Sequence, residues 1–177
     1  AQYIGVPVAP LAEQYSLIPE ARGRLTHCVN KIRPTMVFAA DGEQFGDALK
    51  LELFDGVERL VSCNLFDGTV GFQDLLKGAA GSDVAGAYAR VGPQTLAKIL
   101  FTSGSTGNPK GVPQTQRMLT VNQAQYLACL PMLRERHHPI VEWLPWNHVF
   151  AGKSDFYMML SNGGTLILDD GKPVKGM

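Results

Sequence analysis

The sequence predicts an α/β fold, with a parallel or mostly parallel sheet flanked by helices. Three observations lead there. Short apolar runs alternate with longer segments of helical periodicity. The runs lack the strict in-and-out alternation of half-exposed strands, as expected when both sheet faces are covered. No internal repeat or low-complexity tract interrupts the order. Composition agrees: 177 residues suffice for one sizeable core, and 45% hydrophobic against 18% charged residues is far from the balance of a disordered chain.

Taken in order, residues 4–8 read as a strand and 10–19 as a connecting loop. Leu25, Cys28, Val29 and Ile32 then recur at helical spacing, and Pro34 stops that helix. Residues 36–40 are the next strand, Asp41-Gly42 a turn, 44–53 a helix and 59–64 a third strand. The pattern weakens from 67 to 92, with a helical turn at 72–76 and a small-residue segment at 79–89. Residues 96–102 form a clear strand that runs into a glycine- and serine-rich turn. Thr115 can cap a helix reaching about residue 133. Pro139 precedes a strand at 140–144, a helix spans 149–160, Gly163-Gly164 ends it, and 165–168 is the last strand.

Charge and cysteine content exclude several classes. Sixteen basic residues cancel sixteen acidic ones and are scattered, so neither nucleic acid nor an anionic membrane is expected as the main partner. No apolar run approaches a membrane span. Cys28, Cys63 and Cys129 lie far apart, without the pairing of a disulfide framework or a zinc site; they are expected as small core residues in a reducing, cytoplasmic compartment.

The chemistry concentrates in Thr102-Ser103-Gly104-Ser105-Thr106-Gly107-Asn108-Pro109-Lys110-Gly111, delivered by the apolar strand before it. Glycines permit close approach of backbone to ligand. Consecutive amides and hydroxyls make a concave site for phosphate oxygens, and Lys110 adds a mobile positive charge. It is not a Walker A loop, because Lys110 stands between Pro109 and Gly111 instead of opening a helix. Nor is it a nucleophile elbow, because the glycines of Gly104-Ser105-Thr106-Gly107 are too close together for Ser105 to be its nucleophile.

At every position from Thr102 to Gly111 this stretch resembles the phosphate-binding signature of the adenylate-forming superfamily. Thr115-Gln116-Arg117-Met118-Leu119, Asn122-Gln123, Trp143-Leu144-Pro145-Trp146-Asn147-His148 and Gly163-Gly164-Thr165-Leu166 are similar to the acyl-CoA synthetase branch that contains feruloyl-CoA synthetases. The resemblance implies ATP-dependent adenylation of a small-molecule carboxylic acid, then thioester formation with coenzyme A, with Mg²⁺ as the assisting ion. Thr102, Ser103, Gly104, Ser105, Thr106, Gly107 and Lys110 would hold the nucleotide phosphates, and Lys110 would neutralise departing pyrophosphate. His148 would sit beside the acyl carboxylate. No residue of this chain is assigned to the metal. Trp146 is expected to shape an acid pocket, and Trp143, placed in the strand, to pack in the core.

The later motifs of the superfamily, for adenine, ribose and the catalytic lysine of a C-terminal domain, have no match here. The chain is therefore expected to be an incomplete piece of the large N-terminal domain, inactive alone. About residues 1–133 would belong to its first sheet subdomain, with the phosphate loop at 102–111, and about 139–177 would begin the second. Partial sheets leave apolar edges that open a route to self-association. Two alternatives from other classes stay open: a complete, non-catalytic phosphate- or nucleotide-binding α/β domain, and an interaction module whose loop is vestigial.

Overall fold

The computed structural model of the chain describes residues 1–77, 83–102, 107–135 and 137–169. It divides into two compact units, one built from Leu11–Asp83 and Ser103–Lys110, the other from Ala1–Pro10, Val84–Thr102 and Gly111–Met177.

The unit containing Leu11–Asp83 is an open α/β layer. A short helix α1 (Gln14–Leu17) and a 3₁₀ turn (Pro19–Ala21) lead into α2 (Arg22–Ile32). Its apolar face buries Leu25, Cys28 and Val29, the helical stripe read from the sequence. Arg33 ends α2 in the left-handed conformation, with its N–H on the Val29 carbonyl, immediately before Pro34. Strand β1 (Met36–Asp41) follows, then α3 (Gly42–Leu49), a 3₁₀ turn (Glu52–Phe54), β2 (Glu58–Cys63), β3 (Thr69–Gly71) and α4 (Phe72–Lys77). The strands pair in parallel in the order β1-β2-β3, with Ala39 opposite Val61 and Arg59 opposite Thr69.

Leu25, Val29, Ala48 and Phe54 are the buried centre of this unit, surrounded by Tyr15, Val37, Leu51 and Val57. Burying each large apolar side chain contributes about 1.5–3 kcal/mol. Arg59 fastens the sheet to the turn beside it, donating to the carbonyls of Leu49 at 2.8 Å and Phe54 at 3.0 Å.

Asp41-Gly42 is a helix start, where the sequence suggested a turn. The Asp41 carboxylate accepts the N–H groups of Glu43 at 2.8 Å and Gln44 at 3.4 Å, the arrangement of an N-cap. The Asn64 amide, and after it the Glu43 N–H, holds that carboxyl below its usual range. The expectation of strands covered on both faces also needs correction in β1. Alternate residues are exposed there, Phe38 to 55%, although its ring meets Phe72 edge-on.

In the other unit the expected strand at 4–8 is replaced by a 3₁₀ turn (Gln2–Ile4), closed by Gly5 at φ 80°. Only Val8 pairs, in a parallel bridge to Lys98. Helix α5 (Val84–Ala89) precedes β4 (Leu96–Thr102), which follows its predicted bounds. A strand unforeseen in the sequence, β5 (Lys110–Thr115), lies beside β4. Pro113 hides it, since proline within a strand is confined to positions that donate no ladder bond.

Helix α6 (Gln116–Cys129) is capped as expected, the Thr115 hydroxyl accepting the Met118 N–H at 3.3 Å. A 3₁₀ turn (Pro131–Arg134) leads to β6 (Pro139–Glu142), which pairs in parallel with β7 (Thr165–Leu168). Between them a π-helical turn (Phe150–Asp155) continues into α7 (Phe156–Asn162), which Gly163 ends at φ 64°. Of the three cysteines only Cys28 is a core residue; Cys63 and Cys129 are exposed free thiols. Burial pushes the Cys28 thiol up to about 11.

Gly42 tests the start of α3. A Cβ there would overlap the Asn64 carbonyl, so a shift of backbone is unavoidable. Gly42→Ala is expected to lower unfolding free energy by about 1–3 kcal/mol, measured by denaturant titration.

Candidate functional site

The predicted phosphate loop leaves the protein interior at the end of β4. Ala97, Leu100 and Phe101 are buried and Thr102 is exposed, so the strand carries the chain from core to surface within two residues. Ser103, Gly104, Ser105 and Thr106 lie outside the described residues. The chain is next seen at Gly107, whose φ of 109° is one that side chains disfavour; nothing fills the space where its Cβ would stand, so conformation is what calls for glycine.

Pro109 is buried, and its carbonyl accepts a hydrogen bond from His27 Nε2 on α2 at 3.0 Å. Because a carbonyl can only accept, the neutral His27 ring carries its proton on Nε2. This anchor was not foreseen, since His27 and Pro109 are 82 positions apart. Lys110, exposed, opens β5.

His148 ends the turn that follows β6, its N–H on the Pro145 carbonyl at 2.8 Å. The ring is exposed, and Nδ1 accepts the Phe150 N–H at 3.3 Å. In the neutral ring the proton is thereby placed on Nε2, on the side away from that bond. Trp146 is 42% exposed and leans on Phe156, with ring centroids 5.0 Å apart. Trp143 lies beyond the end of β6 and is 49% exposed, so the expected core role does not hold.

The turn is held from behind. Gly152 donates its N–H to the His148 carbonyl at 2.9 Å, and it backs so closely on the Trp146 carbonyl that a Cβ would overlap it. The Gly152 carbonyl in turn accepts from Nζ of Lys98, a residue only 7% exposed. Burial lowers the pKa of that ammonium, and it lies 5.1 Å from the Tyr157 ring centroid. The Tyr157 hydroxyl donates to Gln2 Oε1. Lys98, Gly152 and Tyr157 therefore support the turn that carries His148, and no motif in the sequence singles them out.

Hydroxyl, glycine and ammonium groups at the two visible ends of the loop suit phosphate oxygens. Among the described residues no three His, Cys, Asp or Glu side chains come together as a metal site. No described helix is long and apolar enough to cross a membrane.

A family model described as AMP-binding enzyme matches residues 1–175. The chain belongs to the AMP-binding enzyme family. It is 31% identical over 103 residues to a methyl-dioxo-octahydro-indenyl-propanoyl:CoA ligase of Rhodococcus jostii, covering 56% of this chain and 20% of that protein. It is 30% identical over 86 residues to a long-chain-fatty-acid–CoA ligase of Gallus gallus, covering 48% of this chain and 11% of the ligase. The structure of an ATP-bound RpMatB–BxBclM chimera superposes over 94% of this chain and 31% of its own, at 25% identity and a TM-score of 0.66. The family accounts for the α/β fold. The chain spans a fifth or less of the two curated ligases.

Gly152→Ala is expected to displace the Trp146 carbonyl. The tryptophan near-UV dichroism should weaken while the far-UV signal of the helices is kept.

Proposed function

We propose that this chain is part of an acid–thiol ligase, an acyl-CoA synthetase that adenylates a carboxylic acid with ATP and passes the acyl group to coenzyme A. The observation that carries the proposal is the path of the chain at the end of β4. A buried strand surfaces at Thr102, and the return arm runs through Gly107 at positive φ to Pro109, clamped by His27, and then to Lys110. Ligands of open α/β sheets gather at strand ends of this kind. Membership of the AMP-binding family supports the nucleotide, and the two curated ligases support the thiol step.

ATP, when bound, supplies a pyrophosphate leaving group that activates the acid. The residues of this chain do the rest by position and charge. Thr102 donates its hydroxyl to a phosphate oxygen, with Ser103, Gly104, Ser105, Thr106 and Gly107 completing the cradle. Lys110 balances the charge that gathers on the departing pyrophosphate. His148 donates Nε2–H to the acid carboxylate and aims it for in-line attack. No step is assigned to Mg²⁺. The half-exposed Trp143 and Trp146, both in the segment between β6 and His148, favour a flat aryl acid of the feruloyl type. The exposed thiols of Cys63 and Cys129 favour a reducing, cytoplasmic setting.

In the complete ligase, Thr102→Ala and Lys110→Ala should each slow adenylation roughly tenfold or more, since a contact to a charged group is worth about 1.5–3 kcal/mol. The assay is carboxylate-dependent exchange of pyrophosphate into ATP. Parental rates in both variants at saturating ATP would remove the phosphate assignment, and the 177-residue chain alone should stay at background.

His148→Ala should raise the KM for the acid or lower adenylation turnover with little change in ATP affinity. Unchanged kinetics with a lowered melting temperature would return His148 to a packing role.

A further inference from the structure

The return arm of the loop, from Gly107 to Lys110, belongs to the same compact unit as α2. Its backbone is constrained almost residue by residue. Gly107 stands at φ 109°. Asn108 is confined to extended conformations by the proline that follows it. The Pro109 ring fixes its own φ and leaves no N–H to bond. The next torsion, ψ of Pro109, is the one that the covalent structure leaves open. Turning it swings the carbonyl one way and, across the planar peptide, carries the N–H and Cα of Lys110 the other.

His27 holds that torsion from α2. Its Nε2 donates to the Pro109 carbonyl at 3.0 Å, in a part-buried setting where a hydrogen bond is stronger than in water. Pro109 is buried, whereas Gly107, Asn108 and Lys110 on either side of it are exposed, so the arm is gripped at this residue. The donor is firmly seated, because Leu25, Cys28 and Val29 root α2 in the protein at 5% exposure or less. We infer that His27 is the positioning residue of Lys110: its bond to the Pro109 carbonyl sets the point from which the lysine side chain leaves the backbone. What this anchor serves rests on the phosphate role proposed for Lys110; the anchor itself does not.

A lysine ammonium rides on a flexible four-carbon stem, so the backbone can fix only the base of that stem. With the Pro109 carbonyl held, the base is fixed and the ammonium sweeps a small volume. Without the donor, ψ of Pro109 is released and the whole stem turns with it. Charge gathers on pyrophosphate only as it departs, so a preorganised cation favours the transition state over bound ATP. Loss of the anchor therefore falls on turnover and leaves ATP affinity nearly unchanged. The effect runs through Lys110, since His27 meets the arm at a carbonyl and not at the nucleotide.

Two substitutions separate the bond from the ring. His27→Phe keeps a flat ring and loses the donor, whereas His27→Gln loses the ring and keeps an N–H donor at similar reach. Lys110 is the only lysine or arginine between Lys98 and Arg117, so tryptic cleavage after it is identified by mass. In the 177-residue chain, without ligand, that cut should come about three- to tenfold faster in His27→Phe and at the parental rate in His27→Gln. Should phenylalanine not be accommodated, His27→Ala removes the donor with less bulk. An unchanged cleavage rate in the donor-free variant overturns the anchor. In the complete ligase, His27→Phe should lower adenylation turnover about three- to tenfold with the KM for ATP kept within about twofold, and His27→Gln should restore it. On a Lys110→Ala background the same exchange should cost less than about twofold more, because its effect is already lost. A full additive loss there, or parental turnover in His27→Phe beside a slowed Lys110→Ala, overturns the positioning role. Parental turnover in Lys110→Ala itself would instead remove the phosphate role of that lysine, and the tryptic result still decides the anchor by itself.

Discussion

An ammonium group taken out of water must be given an acceptor or lose its charge. Much of the unit that contains β4 is arranged around that requirement at Lys98. The strand that ends at Thr102 carries this lysine inward, and its Nζ donates to the Gly152 carbonyl in the turn behind His148. Tyr157 sets its ring beside the same ammonium, and Gln2 receives the Tyr157 hydroxyl while donating its own amide to Ala97 of β4. One buried charge thus couples the strand presenting Thr102 to the turn presenting His148. A neutral apolar side chain of similar length would fill the space and supply none of that direction.

Close backbone approach adds a second constraint of another kind. Gly152 against the Trp146 carbonyl and Gly42 against the Asn64 carbonyl leave no room for a Cβ. At Gly107 the space is open and the dihedral angle is what selects glycine. The three positions look alike in sequence. They differ in whether a neighbour or the backbone itself imposes the choice, so they would tolerate different repairs.

Much of the fold was legible because its cues are local. The stripe Leu25, Cys28, Val29 marked α2, the apolar run marked β4 to its ends, and Gly163 marked the end of α7. Local cues misled where a turn residue had a second use. Asp41-Gly42 reads as a turn but caps a helix, and Pro113 conceals β5. Gly5 breaks the apolar run at the N-terminus, so only Val8 reaches a strand partner. Among the candidate site residues, Thr102, Gly107, Lys110 and His148 stood out by residue type and by resemblance. The residues that brace their surroundings, His27 and Lys98, did not. Their partners are remote in sequence or defined by burial, as with the 82-residue separation of His27 from Pro109.

The two compact units are not consecutive along the chain. One takes its body from the unbroken stretch Leu11–Asp83, whereas the other needs Ala1–Pro10 together with Val84–Thr102 and everything from Gly111. A ribosome releases these pieces in order. The parallel sheet β1-β2-β3 and its apolar centre can close while the later strands are still unmade, because loop closure over short separations comes early. The first ten residues must then wait, unpaired, until Lys98 has emerged to meet Val8 and Ala97 to meet Gln2. A segment kept waiting in this way is exposed to chaperones and to strand exchange with other nascent chains. The pairing of β4 with Val8 therefore has to span the unbroken stretch that builds the other unit.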